Sequence, residues 1–162
     1  MLHWAKLLGL RTRSAAKDAR DGTASRTRVL AITADDCFYS TLVEIASSSG
    51  WEIRRATTAQ EGLDIVCSFS MPLVIFDRDE NGPNWRGGLD RLSAARSHPC
   101  ILLASRVVDD NLRQEVIRFG GYDVLVRSAG REQILRTIQF AWFWVTRSHR
   151  FSDGATQQEA CH

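Results

Sequence analysis

The chain has 162 residues, enough for one domain with a real core but not for two large ones. Hydrophobic residues make up 44% and charged residues 25%, ordinary proportions for a soluble globular protein, and a net charge of +2 gives no reason by itself to expect nucleic acid or an acidic membrane. That charge is uneven: residues 1–28 hold seven basic and two acidic residues, a net +5, which leaves −3 on the remainder.

In chain order, the first element is a short segment with Leu2, Trp4, Leu7, Leu8 and Leu10 near helical spacing. Lys6 splits its apolar stretch and no small-residue cleavage site follows, which argues against a signal peptide. Residues 12–27 are small, polar and charged and read as a linker. Residues 29–32 form a short apolar run, a buried strand. Residues 37–48 place Phe38, Leu42, Ile45 and Ala46 on one helical face, and Gly50 supplies the terminator. Residues 51–56 alternate as a strand. A helix over 58–69 opens with Thr58 and has Glu61 three positions on, a capping-box pattern. Residues 73–76 are again a buried strand. The stretch 78–88, rich in Gly, Asn and Pro, reads as a long loop before a helix ending near Ser97. Residues 101–104 give the fourth strand. Asp109 or Asp110 caps a helix through Phe119 that Gly120 and Gly121 end, and 124–126 is the fifth strand. The last helix, 131 to about 147, carries Ile134, Ile138, Ala141 and Val145 on one face, and the polar tail 149–162 reads as disordered. The division is thus a basic segment and linker (1–27), one domain (28–148) and a tail.

Strands buried on both faces and alternating with helices predict an α/β fold with a parallel sheet. For five strands and right-handed crossovers, the flavodoxin-like order 2-1-3-4-5 is the expected one. Chemistry in such sheets lies at the carboxyl ends of the strands. Those ends read Thr33-Ala34-Asp35-Asp36, Asp77, Ser105-Arg106 and Arg127-Ser128. Cys37, Cys67, Cys100 and Cys161 are scattered, with Cys67 and Cys100 in apolar surroundings that predict small core residues and a reducing, cytoplasmic setting. No apolar run approaches a membrane span.

Over about residues 28–148 the chain resembles the receiver domain of response regulators in two-component signalling. RVLAITADD…SSSGWEI resembles its first strand, acidic turn, first helix and second strand; LVIFD its third strand, ending in the phospho-acceptor; ILLAS and FGGYDVLVRSA its fourth and fifth strands. The resemblance implies phosphoryl transfer from a histidine kinase or another phosphodonor to Asp77, with Ser105 hydrogen-bonding the phosphoryl group and Arg127 in place of the family's invariant Lys. It implies a Mg²⁺ site drawn from Asp35, Asp36, Asp77 and Asp79, the last through its carbonyl. The match is partial. Thr33 and Ala34 stand where the family has an acidic pair, so either a bulge brings Asp35 and Asp36 into the site or Asp35 caps the following helix. Ser128 replaces the Pro that follows the family's Lys, Val124 takes the aromatic switch position, and the loop after Asp77 is longer. These departures weaken the metal site.

Two functions compete. One is a stand-alone receiver accepting a phosphoryl group on Asp77 in a phosphorelay and switching a partner-binding face. The other is a pseudo-receiver that acts through protein interactions without phosphorylation. Both need a surface, and Phe140, Trp142, Phe143 and Trp144 span more than one face of the last helix. In the family, the fourth helix, fifth strand and fifth helix (the α4-β5-α5 face) form the usual dimer surface, so a protein partner or a homodimer is expected there. An enzyme is not expected. Gly87-Gly88 and Gly120-Gly121 are not phosphate loops, and His3, His98, His149 and His162 lie in tails or at a helix end. Direct nucleic-acid binding is not expected either, since no helix-turn-helix follows and the basic arm lacks interleaved aromatics.

Overall fold

A computed structural model describes residues 26–155, with side chains described to Ser148. The helical segment expected within residues 2–10, most of the linker and the last residues of the tail lie outside it. Five parallel strands, β1 (Arg28–Ile32), β2 (Glu52–Ala56), β3 (Leu73–Asp77), β4 (Cys100–Ser105) and β5 (Asp123–Val126), form one sheet in the order β2-β1-β3-β4-β5. The flavodoxin-like order read from the sequence is the one observed.

The period-2 geometry of the strands divides the core into two layers. Leu30, Ile32, Val74, Phe76, Ile101, Leu103 and Val124 face α2 (Ala59–Ser68), α3 (Trp85–Ser93) and α4 (Asp110–Arg118). Val29, Ala31, Leu73, Ile75, Leu102, Ala104 and Leu125 face α1 (Asp36–Ser49) and α5 (Arg131–Ala155). Gly88 permits the close seat of α3, because a Cβ there would lie 2.8 Å from the Phe76 ring.

The helix ends follow local chemistry. Gly50 is left-handed (φ 69°) and its N–H bonds the Ala46 carbonyl. The Thr58 side chain accepts from the Glu61 N–H, while Glu61 Oε2 accepts from the Thr57 N–H at 2.7 Å. Asp109, not Asp110, caps α4 by accepting from the Leu112 N–H at 2.7 Å.

Four expectations are corrected. Residues 78–88 are not a long loop: a helical turn (Arg78–Asn81) and a 3₁₀ turn (Gly82–Asn84) lead directly into α3. Asp77 organises this segment, accepting from the Asp79 N–H at 3.1 Å, while its carbonyl takes the Asn81 amide at 2.6 Å. Helix α3 ends at Ser93, short of Ser97, and α5 runs on to Ala155, past the expected end near 147. Cys67 is exposed, because α2 turns Gly62 and Val66 inward. Cys100 is partly buried, and burial pushes its thiol up to about 12.

Candidate functional site

The carboxyl ends of β1, β3, β4 and β5 converge on Thr33, Asp77, Ser105 and Arg127. The backbone fixes them. Thr33 N–H bonds the Ala56 carbonyl (2.9 Å) and Arg127 N–H bonds the Ser105 carbonyl (3.0 Å), each extending a parallel ladder by one residue.

Asp77 is fully buried, and both carboxylate oxygens are engaged. Oδ2 accepts from the Thr33 hydroxyl at 2.6 Å. Oδ1 accepts from the Asp79 N–H at 3.1 Å and from Arg127 Nη1 at 3.2 Å. Thr33, also buried, accepts the Asp35 N–H on its own oxygen at 3.1 Å. Burial raises the Asp77 carboxyl above its ordinary value, against the lowering pull of the Thr33 hydrogen bond and the Arg127 charge.

Arg127 is the centre of the arrangement. Its side chain is 5% exposed, and one Nη bonds Asp35 while the other lies 3.2 Å from Asp77 and 3.5 Å from Asp79. The Phe38 ring supports the guanidinium from below, 4.6 Å from Cζ to the ring centre. Asp35 performs both roles that the sequence left open. One oxygen caps α1 at the Phe38 N–H (3.0 Å) and the other faces Arg127. That helix-cap bond, followed by Arg127, holds its carboxyl below the usual range.

Asp36 is not brought to the site; its carboxylate is 90% exposed and pairs with Arg55 at 2.7 Å. Asp79 enters through its side chain, which accepts from the Arg106 N–H at 2.9 Å, because the helical turn after β3 tilts it toward the strand ends. The Arg106 guanidinium covers the cluster from outside, 3.5 Å from Asp35. Ser105 is buried, and its hydroxyl is bonded to groups other than Asp77. It bonds the Val107 carbonyl at 2.8 Å and takes Arg78 Nη1 at 3.2 Å. The sequence reading assigned no role to Arg78, or to Thr33 as a hydrogen-bond donor; the available signal was that each is at, or one residue beyond, the end of a strand.

The residues present do not fit the Mg²⁺ that such a site would suggest. A divalent ion needs several oxygens free to converge on one point. Here a guanidinium stands among the three carboxylates, Ala34 offers no side-chain oxygen, and among the described residues no group of three or more His, Cys, Asp or Glu is placed to hold a metal. The same described residues include no helix long and apolar enough to cross a membrane.

No protein-family model and no curated protein matches the chain. Solved structures do. The chemotaxis protein CheY4 of Vibrio cholerae superposes with a TM-score of 0.66 at 19% identity, over 72% of this chain and 99% of that one. A CheY-like response regulator receiver domain protein of Methanospirillum hungatei gives 0.69 at 17%, over 76% and 99%. NtrX of Brucella abortus gives 0.71 at 18%, over 79% of this chain and 29% of NtrX. With this strand order and these neighbours, the chain has the fold of a response regulator receiver domain.

Proposed function

We propose that this chain is a signalling module of the receiver fold that works through protein interactions without accepting a phosphoryl group. The observation that carries the reading is the state of Asp77, fully buried with both oxygens bonded. A carboxylate attacking phosphorus in line needs an oxygen open to the donor, and the charge on the phosphoryl oxygens needs a cation free to receive it. Arg127 is already bound by carboxylates, and Ser105 is committed to Val107 and Arg78.

The phosphorelay reading, with Asp77 as acceptor and Ser105 and Arg127 assisting, draws on the same four strand ends and is the alternative outcome of one experiment. Incubation with acetyl phosphate and Mg²⁺ followed by intact mass is expected to give no gain. A gain of one phosphoryl group, absent in Asp77→Asn, would overturn the interaction-only reading and establish the relay.

The interaction surface we assign is the outer face of α5. Phe140 (68% exposed) and Phe143 (57%) lie there with Arg136 and Gln139, bordering a shallow depression of about 600 Å³. Trp144, 57% exposed, leans on Tyr122 beside β5 and extends the apolar surface toward the α4-β5-α5 face. The inward face of α5 is already satisfied by Ile134, Ile138 and Ala141, so Phe140 and Phe143 are not needed to close the core. A second copy of the chain is the occupant that can be tested directly. Sedimentation velocity is expected to show a concentration-dependent dimer that Phe140→Ser with Phe143→Ser weakens at least several-fold. A monomer at every concentration would remove self-association and leave a different protein as the partner.

A further inference from the structure

We infer that Arg127 is a built-in counter-cation that takes the place of a divalent metal in the carboxylate cluster, so that the wild-type site excludes Mg²⁺ and is held in one arrangement at any metal concentration. The inference rests on the proposed interaction-only reading and deepens it by naming what closes the site.

Three features support it. The first is position. The guanidinium touches Asp35 from the end of β1, Asp77 from the end of β3 and Asp79 from the turn beyond, so a single cation links the carboxylates that a metal would have to share. A planar fork with separated donors can do this, whereas a compact ammonium acts as a point charge. The second is anchorage. The Arg127 backbone is tied to Ser105, its guanidinium lies over the buried Phe38 ring, and its side chain is almost wholly enclosed. Entry of a divalent ion would therefore require the guanidinium to leave a site shaped around it, or a like charge to be accepted a few ångströms away. The third is the donor set. Thr33 holds Asp77 Oδ2 by donating a hydrogen bond, and Ala34 beside it has no side-chain ligand atom. The carboxylates are thus satisfied by hydrogen-bond donors from Thr33, the backbone, Arg127 and Arg106.

The arrangement also joins elements. Asp35 caps α1, Arg127 directly follows β5, and Asp77 caps the turn leading to α3. The guanidinium therefore sets the relative positions of three loops that border the surface around the strand ends.

The test is a metal titration of the full chain, using Mg²⁺ and Mn²⁺ in isothermal calorimetry with thermal unfolding in parallel. Wild type is expected to show no saturable binding at millimolar metal and the same Tm in EDTA as in Mg²⁺. Arg127→Ser, which removes the cation shared by all three carboxylates, is expected to bind Mn²⁺ saturably and to gain several degrees in Tm on adding Mg²⁺. Arg127→Lys keeps a charge near Asp77 while releasing Asp35 and Asp79. It is expected to regain metal binding and serves if the serine variant does not fold. Saturable Mg²⁺ binding by wild type overturns the inference, as do folded Arg127 variants that stay silent to both metals. The two proposals fail separately. Metal binding by wild type without a mass gain from acetyl phosphate sinks the counter-cation and leaves the interaction-only reading. A mass gain that persists in EDTA does the reverse.

Discussion

Replacing Arg127 with alanine is expected to cost about 3–5 kcal/mol of folding stability at neutral pH, the range for removing one partner of a buried ion pair. The loss comes less from missing attraction than from what remains. Asp77 would stay fully buried with the Thr33 hydroxyl and the Asp79 N–H as its donors, and Asp35 and Asp79 would keep only the exposed Arg106 guanidinium nearby. The pH dependence follows by sign. Burial already raises the Asp77 carboxyl above its unfolded value of 3.8, so the folded state holds the proton more tightly. Stability then falls as pH rises through the interval between the unfolded and folded values, and loss of the opposing arginine charge widens that interval upward. Urea unfolding should accordingly show the Arg127→Ala deficit largest at neutral pH and shrinking as the solution is acidified toward the protonation of Asp77. Asp77→Asn in the Arg127→Ala background should restore much of the loss, with a coupling of about 0.5–3 kcal/mol in the cycle. Strict additivity would mean that the two side chains do not act on one another.

Trp85→Ala is expected to cost about 3–5 kcal/mol, the range for truncating a buried aromatic. Trp85 is 2% exposed, meets Phe119 edge-on at 6.3 Å between ring centres, and lies within the layer that includes Phe76 and Leu89. The guanidiniums of Arg86 and Arg78 lie 4.6 Å and 5.8 Å from its ring centre. Arg86 is in turn held by both oxygens of Glu115, at 2.9 and 2.6 Å. The side chain thus joins α3 to α4 and also supports Arg78, which reaches the Ser105 hydroxyl. Trp85→Phe keeps most of the apolar area and should retain more than half of the stability that alanine loses. Urea unfolding followed by far-UV circular dichroism measures both. An alanine variant within about 1 kcal/mol of wild type would show that the layer collapses around the gap, since such costs depend on how well the site relaxes.

These two side chains mark where sequence reading stopped. Trp85 sits in a stretch of Gly, Asn and Pro that resembles a loop, and local propensity gives no hint that its ring is covered. Its ring meets Phe119, more than thirty residues away in the chain. Arg127 was legible as a cation at the end of β5, opposite Asp77 at the end of β3, because strand ends follow from the limits of apolar runs. Its partners were not legible. The Asp35 contact joins residues 92 positions apart, and a guanidinium on a long side chain can point in many directions until packing selects one.

By itself the sequence determined the five strands, the helices between them, their order in the sheet, the capped start at Thr58 and the stop at Gly50, because these follow from periodicity, from caps within a few residues and from the few topologies that right-handed crossovers allow. It also determined which residue types would meet at the strand ends. Only the tertiary structure decided that Asp35 faces inward while Asp36 turns to Arg55, that the Ser105 hydroxyl bonds Val107, and that Arg127 stands among the carboxylates. The reason is that each of these choices is made by contacts between distant segments, and a one-residue difference in a loop reverses which side chain points in.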